Sequence, residues 1–103
     1  MQKLSYTVEG KIETTILNKI VSSVNFWNTE GKEIIEKNKK GFLGDFDTQL
    51  FCSNNNYKDV ILQFIMQDIK ILTSSSQLKT GKGGNHVWIY DPNKDKRIMI
   101  LNF

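Results

Sequence analysis

The sequence predicts an α+β fold: a mostly antiparallel sheet of about four strands packed against two main helices, ending in a β-hairpin. Three observations carry this. Residues 11–26 and 57–72 each place apolar side chains at helical spacing. Residues 86–103 read as two extended runs around a turn. At 103 residues, with connections too short to separate two units, residues 1–103 make one compact domain.

Taken in order, Lys3 to Glu9 alternates around Tyr6 and Val8 and reads as a first strand, closed by Gly10. In 11–26, Ile12, Ile16, Leu17, Ile20, Val21 and Val24 share one helical face, and Glu13, Asn18, Lys19, Ser22 and Ser23 suit water. Phe26 and Trp27 extend the apolar face. Asn28 and Thr29 can then cap a second, short helix over 30–40, where Ile34 and Ile35 stand among four basic and three acidic residues. Gly41 stops it, with Lys39 and Lys40 where cations suit the helix dipole.

Residues 45–52 alternate Phe46, Thr48 and Leu50 against Asp47 and Gln49, which predicts a strand. The loop Ser53 to Asn56 offers caps for the strongest helix, 57–72. There Ile61, Leu62, Ile65, Met66, Ile69 and Leu72 line one face, widened by Val60 and Phe64. Fully burying one such side chain is worth roughly 1.5–3 kcal/mol. Thr73 to Ser76 breaks regular structure, and Gly81-Lys-Gly-Gly84 reads as a glycine loop leading to the hairpin. His86 to Tyr90 and Lys96 to Phe103 are its strands; Asp91-Pro-Asn-Lys-Asp95 is its turn.

Composition narrows the function classes. With 39% hydrophobic and 24% charged residues the chain reads as globular rather than disordered. Its single cysteine, Cys52, excludes an internal disulfide and a cysteine-based metal knuckle; a small buried thiol is the expected role. There is no apolar leader and no run long enough to span a bilayer, so a cytoplasmic, reducing location and no membrane partner are expected. No His/Cys cluster suits zinc. Asp45 and Asp47 would need help from Asp59, Asp68 or Asp91 to hold a divalent cation, so neither metal nor cofactor is expected. Ser74, Ser75 and Ser76 lie in no nucleophile elbow.

The formal net charge is +3 and the pI about 9.0, a weak pointer to polyanions. That charge is concentrated in residues 79–97, which hold five basic against two acidic residues and the only histidine and proline. Lys79, Lys82, Lys94, Lys96 and Arg97 are candidate phosphate contacts, and Gly83 and Gly84, with Gly81, would let backbone approach an anion. Strand alternation sets His86, Trp88 and Tyr90 on one face, against Val87 and Ile89. Trp88 or Tyr90 could stack on an unpaired base, and an imidazole suits proton transfer near neutrality. Both sides of 96–103 are apolar, the pattern of a hairpin covered on both faces; Trp88 and Tyr90 would then be buried.

Three functional readings follow. The favoured one is a small binding protein that acts by macromolecular recognition. It would be an immunity- or inhibitor-type protein neutralising a toxin or a nucleic-acid enzyme, anchored to a protein partner by Phe26, Trp27, Tyr57, Trp88 or Tyr90. The second is a metal-independent ribonuclease toxin using His86 with neighbouring Lys or Arg. The third is a non-catalytic nucleic-acid-binding module with RNA as partner. Oligomeric state is open, though a last strand ending at Phe103 could add to a neighbour's sheet.

The run Lys82-Gly-Gly-Asn-His-Val-Trp-Ile-Tyr90, followed by a turn and Lys96-Arg-Ile-Met-Ile-Leu101, resembles the core of the HicA family of small toxins. The resemblance implies a fold like a double-stranded-RNA-binding domain and cleavage of messenger RNA. It would put His86 in the catalytic place, Gly84 at the family's glycine and Asn85 at its small polar residue. Val87 stands where the family often has a second histidine, and no helix follows Leu101-Asn-Phe103.

Overall fold

The computed structural model describes residues 3–37, 41–43, 50–52 and 56–103. Strand β1 (Ser5–Val8) leads into helices α1 (Thr14–Asn28) and α2 (Glu30–Lys37). Short strands β2 (Gly41–Leu43) and β3 (Leu50–Cys52) pair with each other. Helix α3 (Tyr57–Leu72) precedes three strands, β4 (Lys79–Gly83), β5 (His86–Asp91) and β6 (Lys96–Asn102). The main sheet has the order β1-β6-β5-β4, antiparallel throughout. The predicted α+β class, with a four-stranded antiparallel sheet against two helices, is what the chain adopts.

The strands of that sheet are not all the expected ones. Of the predicted strand 45–52, only its last residues fall within the described ones, and they pair with Gly41–Leu43 outside the main sheet. The fourth place is taken by β4, which the sequence presented as a glycine loop. Lys79 to Gly83 runs opposite Tyr90 to His86 in unbroken register. Gly84 and Asn85 make the two-residue connection, with Gly84 at φ +54°, a backbone conformation that suits glycine.

One face of the sheet meets the helices. Val87 and Ile89 of β5 and Met99 and Leu101 of β6 pack with Ile20 and Val24 of α1 and Leu62, Ile65 and Ile69 of α3, all of them buried. A smaller cluster joins Ile35 of α2 to Val60 and Ile61 of α3. Trp27 touches both clusters, stacks on Phe64 at 5.5 Å, and donates its indole N–H to Asp68 at 3.1 Å. Ser23 donates to the same carboxylate at 3.0 Å, so Asp68 fastens α3 to α1.

The two-sided apolar pattern of β6 has a local cause. Ile89 pairs with Met99 but Tyr90 pairs with Arg97, so Ile98 is an extra residue, a β-bulge. Through the bulge both Ile98 and Met99 reach the core, and Arg97 is returned to the face of Tyr90. The hairpin is therefore not sealed on both sides; His86, Trp88, Tyr90 and Ile100 are only half-buried.

The sheet's edge strands are β1 and β4. β6, which ends at Asn102, is an inner strand with neighbours on both sides, and the Phe103 N–H is held by the Asn85 carbonyl at 3.2 Å. The expected docking edge at Phe103 does not exist. Just before β1, the Asn28 side chain pairs with the Leu4 backbone as a neighbouring strand would. Its Oδ1 accepts from the Leu4 N–H and its Nδ2 donates to the Leu4 carbonyl, each at 2.8 Å. No helix among the described residues is long and apolar enough to cross a membrane.

Leu4 is fully buried, so losing this clamp strands backbone groups that water reaches poorly. Asn28→Ala is expected to destabilise the fold by about 1–3 kcal/mol, read as a lower urea midpoint at unchanged slope. An unchanged midpoint would show that the clamp contributes nothing.

Candidate recognition surface

Because Val87 and Ile89 face the core, His86, Trp88 and Tyr90 face away from it. Register places Gly83, Gly81 and Lys79 of β4 opposite these three on one side. Asn102, Ile100 and Arg97 of β6 stand opposite them on the other. His86, Trp88, Tyr90, Lys96 and Arg97 line an open concavity of about 1050 Å³, together with Gly81, Glu9, Pro92 and Asp95. Its turn end is shaped locally. The Asp91 carboxylate accepts from the Asn93 N–H at 2.9 Å and the Asp91 carbonyl accepts from the Lys94 N–H at 3.1 Å, while Asp95 takes φ +49°.

The glycines of β4 are there for a ring. A Cβ built on Gly81 would lie 2.5 Å from the Trp88 indole, and one on Gly83 would lie 3.3 Å from it. The indole therefore lies across the bare backbone of Gly81 and Gly83, where no side chain lifts it off. His86 sits against it at 5.2 Å between ring centroids, tilted by 40°. The glycines thus seat an aromatic side chain from the neighbouring strand. Gly81 and Gly83 have this packing role, and Gly84 serves the turn.

The candidate cations divide between the two faces of the sheet. Lys82 points to the helix side of the sheet and pairs with Asp59 of α3. That hydrogen bond holds the Asp59 carboxyl below the usual carboxylate range, against partial desolvation and with help from the Gln63 amide. Arg97 stays on the outer face but is paired with Glu9, at 2.9 Å from Nη2 to Oε1. Lys79, Lys94 and Lys96 are exposed, and Lys94 belongs to the turn. The rim of the concavity carries Glu9 and Asp95 as well as Lys96 and Arg97, and so has mixed sign.

The anchors proposed from sequence also separate. Trp27 is built into the helix layer by Phe64, Asp68 and Gly31, where an added Cβ would lie 2.4 Å from its ring. Phe26 is 39% exposed and packs edge-to-face on Trp27, and Tyr57 packs on the Ile35 cluster. All three belong to the helical side, across the sheet from Trp88 and Tyr90. On the outer face, the polar tips of His86, Trp88 and Tyr90 make no hydrogen bond within the described residues. Asp45 and Asp47 lie outside the described residues, as does the side chain of Cys52. Among the described residues no three metal-ligating groups come together.

Sequence reasoning missed Glu9, Asn28 and the seat at Gly81. The signal for the last was present: glycines two apart, at strand period, beside a run with a central tryptophan. No protein-family model, curated protein or solved structure matches this chain.

Two predictions follow from this geometry. Gly81→Ala drives a methyl group into the indole and is expected to cost about 1–3 kcal/mol. In a Trp88→Ala background the same change should be neutral or stabilising, since alanine outperforms glycine in a strand by roughly 0.5–1 kcal/mol. Equal costs in both backgrounds, measured by chemical unfolding, would remove the seat. The second concerns pH. Because folding lowers the Asp59 pKa, its contribution is complete above the ordinary aspartate range and is lost as pH falls through it. Lys82→Met should cost no more than about 1 kcal/mol at neutral pH and make stability fall less steeply on acidification than in the wild type. Parallel curves would contradict this.

Proposed function

We propose that the chain is a small binding protein, of immunity or inhibitor type, that recognises a protein partner through the outer face of its sheet. The supporting observation is a half-buried aromatic strip, His86, Trp88 and Tyr90, whose polar tips have no partner within the described residues. It is bordered by charges of both signs, one pair of which, Arg97 and Glu9, is already mutually satisfied. Interface centres are enriched in Trp and Tyr and ringed by polar groups. A polyanion site would instead gather unpaired cations. The seated indole adds rigidity, so little side-chain entropy remains to be lost on binding. A cytoplasmic setting belongs to this same reading.

A nucleic-acid-binding module without catalysis is the second reading, favoured by the same open strip with Lys79 and Lys96 near Tyr90. The ribonuclease implied by the HicA resemblance needs a cation and a second proton carrier beside His86. Of its candidate cations, Lys82 faces away, Arg97 is engaged by Glu9, and Lys79 stands exposed on the outer face opposite Tyr90.

Affinity capture from the source cell, with and without nuclease treatment, separates these readings. The expected result is a stoichiometric protein partner retained after nuclease. Its affinity should fall about thirtyfold or more in Trp88→Ala/Tyr90→Ala, as for a hot-spot pair, with circular dichroism confirming the fold. Recovery of RNA alone, with binding that drops steeply with salt, would overturn it. So would RNA cleavage abolished by His86→Ala.

A further inference from the structure

The edge strand β1 carries a second feature, independent of the aromatic face. In an antiparallel ladder, backbone groups point alternately toward and away from the neighbour. The Glu9 N–H donates to the Ile98 carbonyl at 2.8 Å, in phase with the pairs Thr7–Ile100 and Ser5–Asn102. Residues 5, 7 and 9 therefore turn their backbone groups to β6, and residues 4, 6 and 8 turn theirs outward. Leu4 is taken by Asn28, and beyond Val8 the chain folds back, the Gly10 N–H also reaching the Ile98 carbonyl. Among the described residues, what remains unpaired is a short docking edge: the N–H and C=O of Tyr6 and of Val8. Their side chains are 42% and 41% exposed.

We propose that this edge accepts one extended segment of a partner protein, carrying alternating apolar residues between acidic flanks. The flanks follow from charge. Lys3 and Lys11 are exposed at the two ends of the edge, and Glu9 between them is neutralised by Arg97. The bound segment adds a fifth strand, with backbone hydrogen bonds to Tyr6 and Val8, apolar side chains beside theirs, and carboxylates at the lysines. A second copy of this chain fits poorly. The same-face register centred on Thr7 sets Lys3 against Lys11 of the other copy at both ends. The register centred on Tyr6 needs the Leu4 groups that Asn28 holds. Lysine at an edge is a known guard against self-pairing.

The test uses the isotope-labelled full chain and the blocked peptide Glu-Val-Thr-Val-Thr-Val-Thr-Val-Glu, with the same peptide bearing Lys at both ends as control. In the free protein the Tyr6 and Val8 amides should exchange fast with solvent while Thr7 is protected. The acidic peptide should protect both, and the basic one neither. Val8→Pro deletes one outward donor at a position where edge strands tolerate proline. It should weaken the acidic peptide about tenfold, the equivalent of one hydrogen bond, with the thermal midpoint retained. Trp88→Ala should bind the peptide as the wild type does, so that failure here and failure of the aromatic-face reading are separate results. Equal binding of both peptides, wild-type affinity in Val8→Pro, or concentration-dependent protection of Tyr6 and Val8 without peptide would each overturn the proposal, the last in favour of a second copy.

Discussion

The packing of the Trp88 indole on the bare backbone of Gly81 and Gly83 is the constraint on which the outer face depends. It requires Gly81 and Gly83 to stand across from Trp88 and His86, which in turn requires β4 to be a strand in unbroken register with β5. A large ring on a water-facing sheet would otherwise sample several rotamers. Seated across glycines, it presents one fixed apolar surface between His86 and Tyr90. The helices make this face available by covering only the other one, where Val87, Ile89, Met99 and Leu101 meet α1 and α3.

The bulge at Ile98 is the second device. One extra residue sends two consecutive apolar side chains to the core and returns Arg97 to the outer face opposite Tyr90. Arg97 then meets Glu9, which lies just past the end of β1. The ion pair is exposed and adds little stability by itself. Its larger consequence is electrostatic: a guanidinium that could have met a phosphate already has a carboxylate. With Lys82 held by Asp59 on the opposite side, the basic stretch 79–97 loses its linear concentration of charge once folded.

Local pattern made much of the fold legible. α3 follows from Ile61, Leu62, Ile65 and Ile69 at helical spacing, and β5 from the alternation of Val87 and Ile89 with His86, Trp88 and Tyr90. These signals lie within a few neighbouring residues. What stayed hidden depends on pairs far apart in the chain. Nothing local to Lys-Thr-Gly-Lys-Gly, a run poor in strand propensity, shows that an indole from the next strand will cover it. Nothing local to Arg97 or Leu4 points to Glu9 or Asn28. Charge direction was hidden for the same reason: once β4 is a strand, alternation alone sends Lys79 outward and Lys82 to the helices. The aromatic trio was legible as a face; its seat and its charge balance were not.

The position of the Trp88 ring can be read directly from proton chemical shifts. An indole lying flat over β4 shields the Hα protons of Gly81 and Gly83 by its ring current. These resonances should lie clearly upfield of ordinary strand glycines and return to normal positions in Trp88→Ala. Ordinary glycine shifts in the wild type would mean that the ring is not seated, and the preorganised face would go with it.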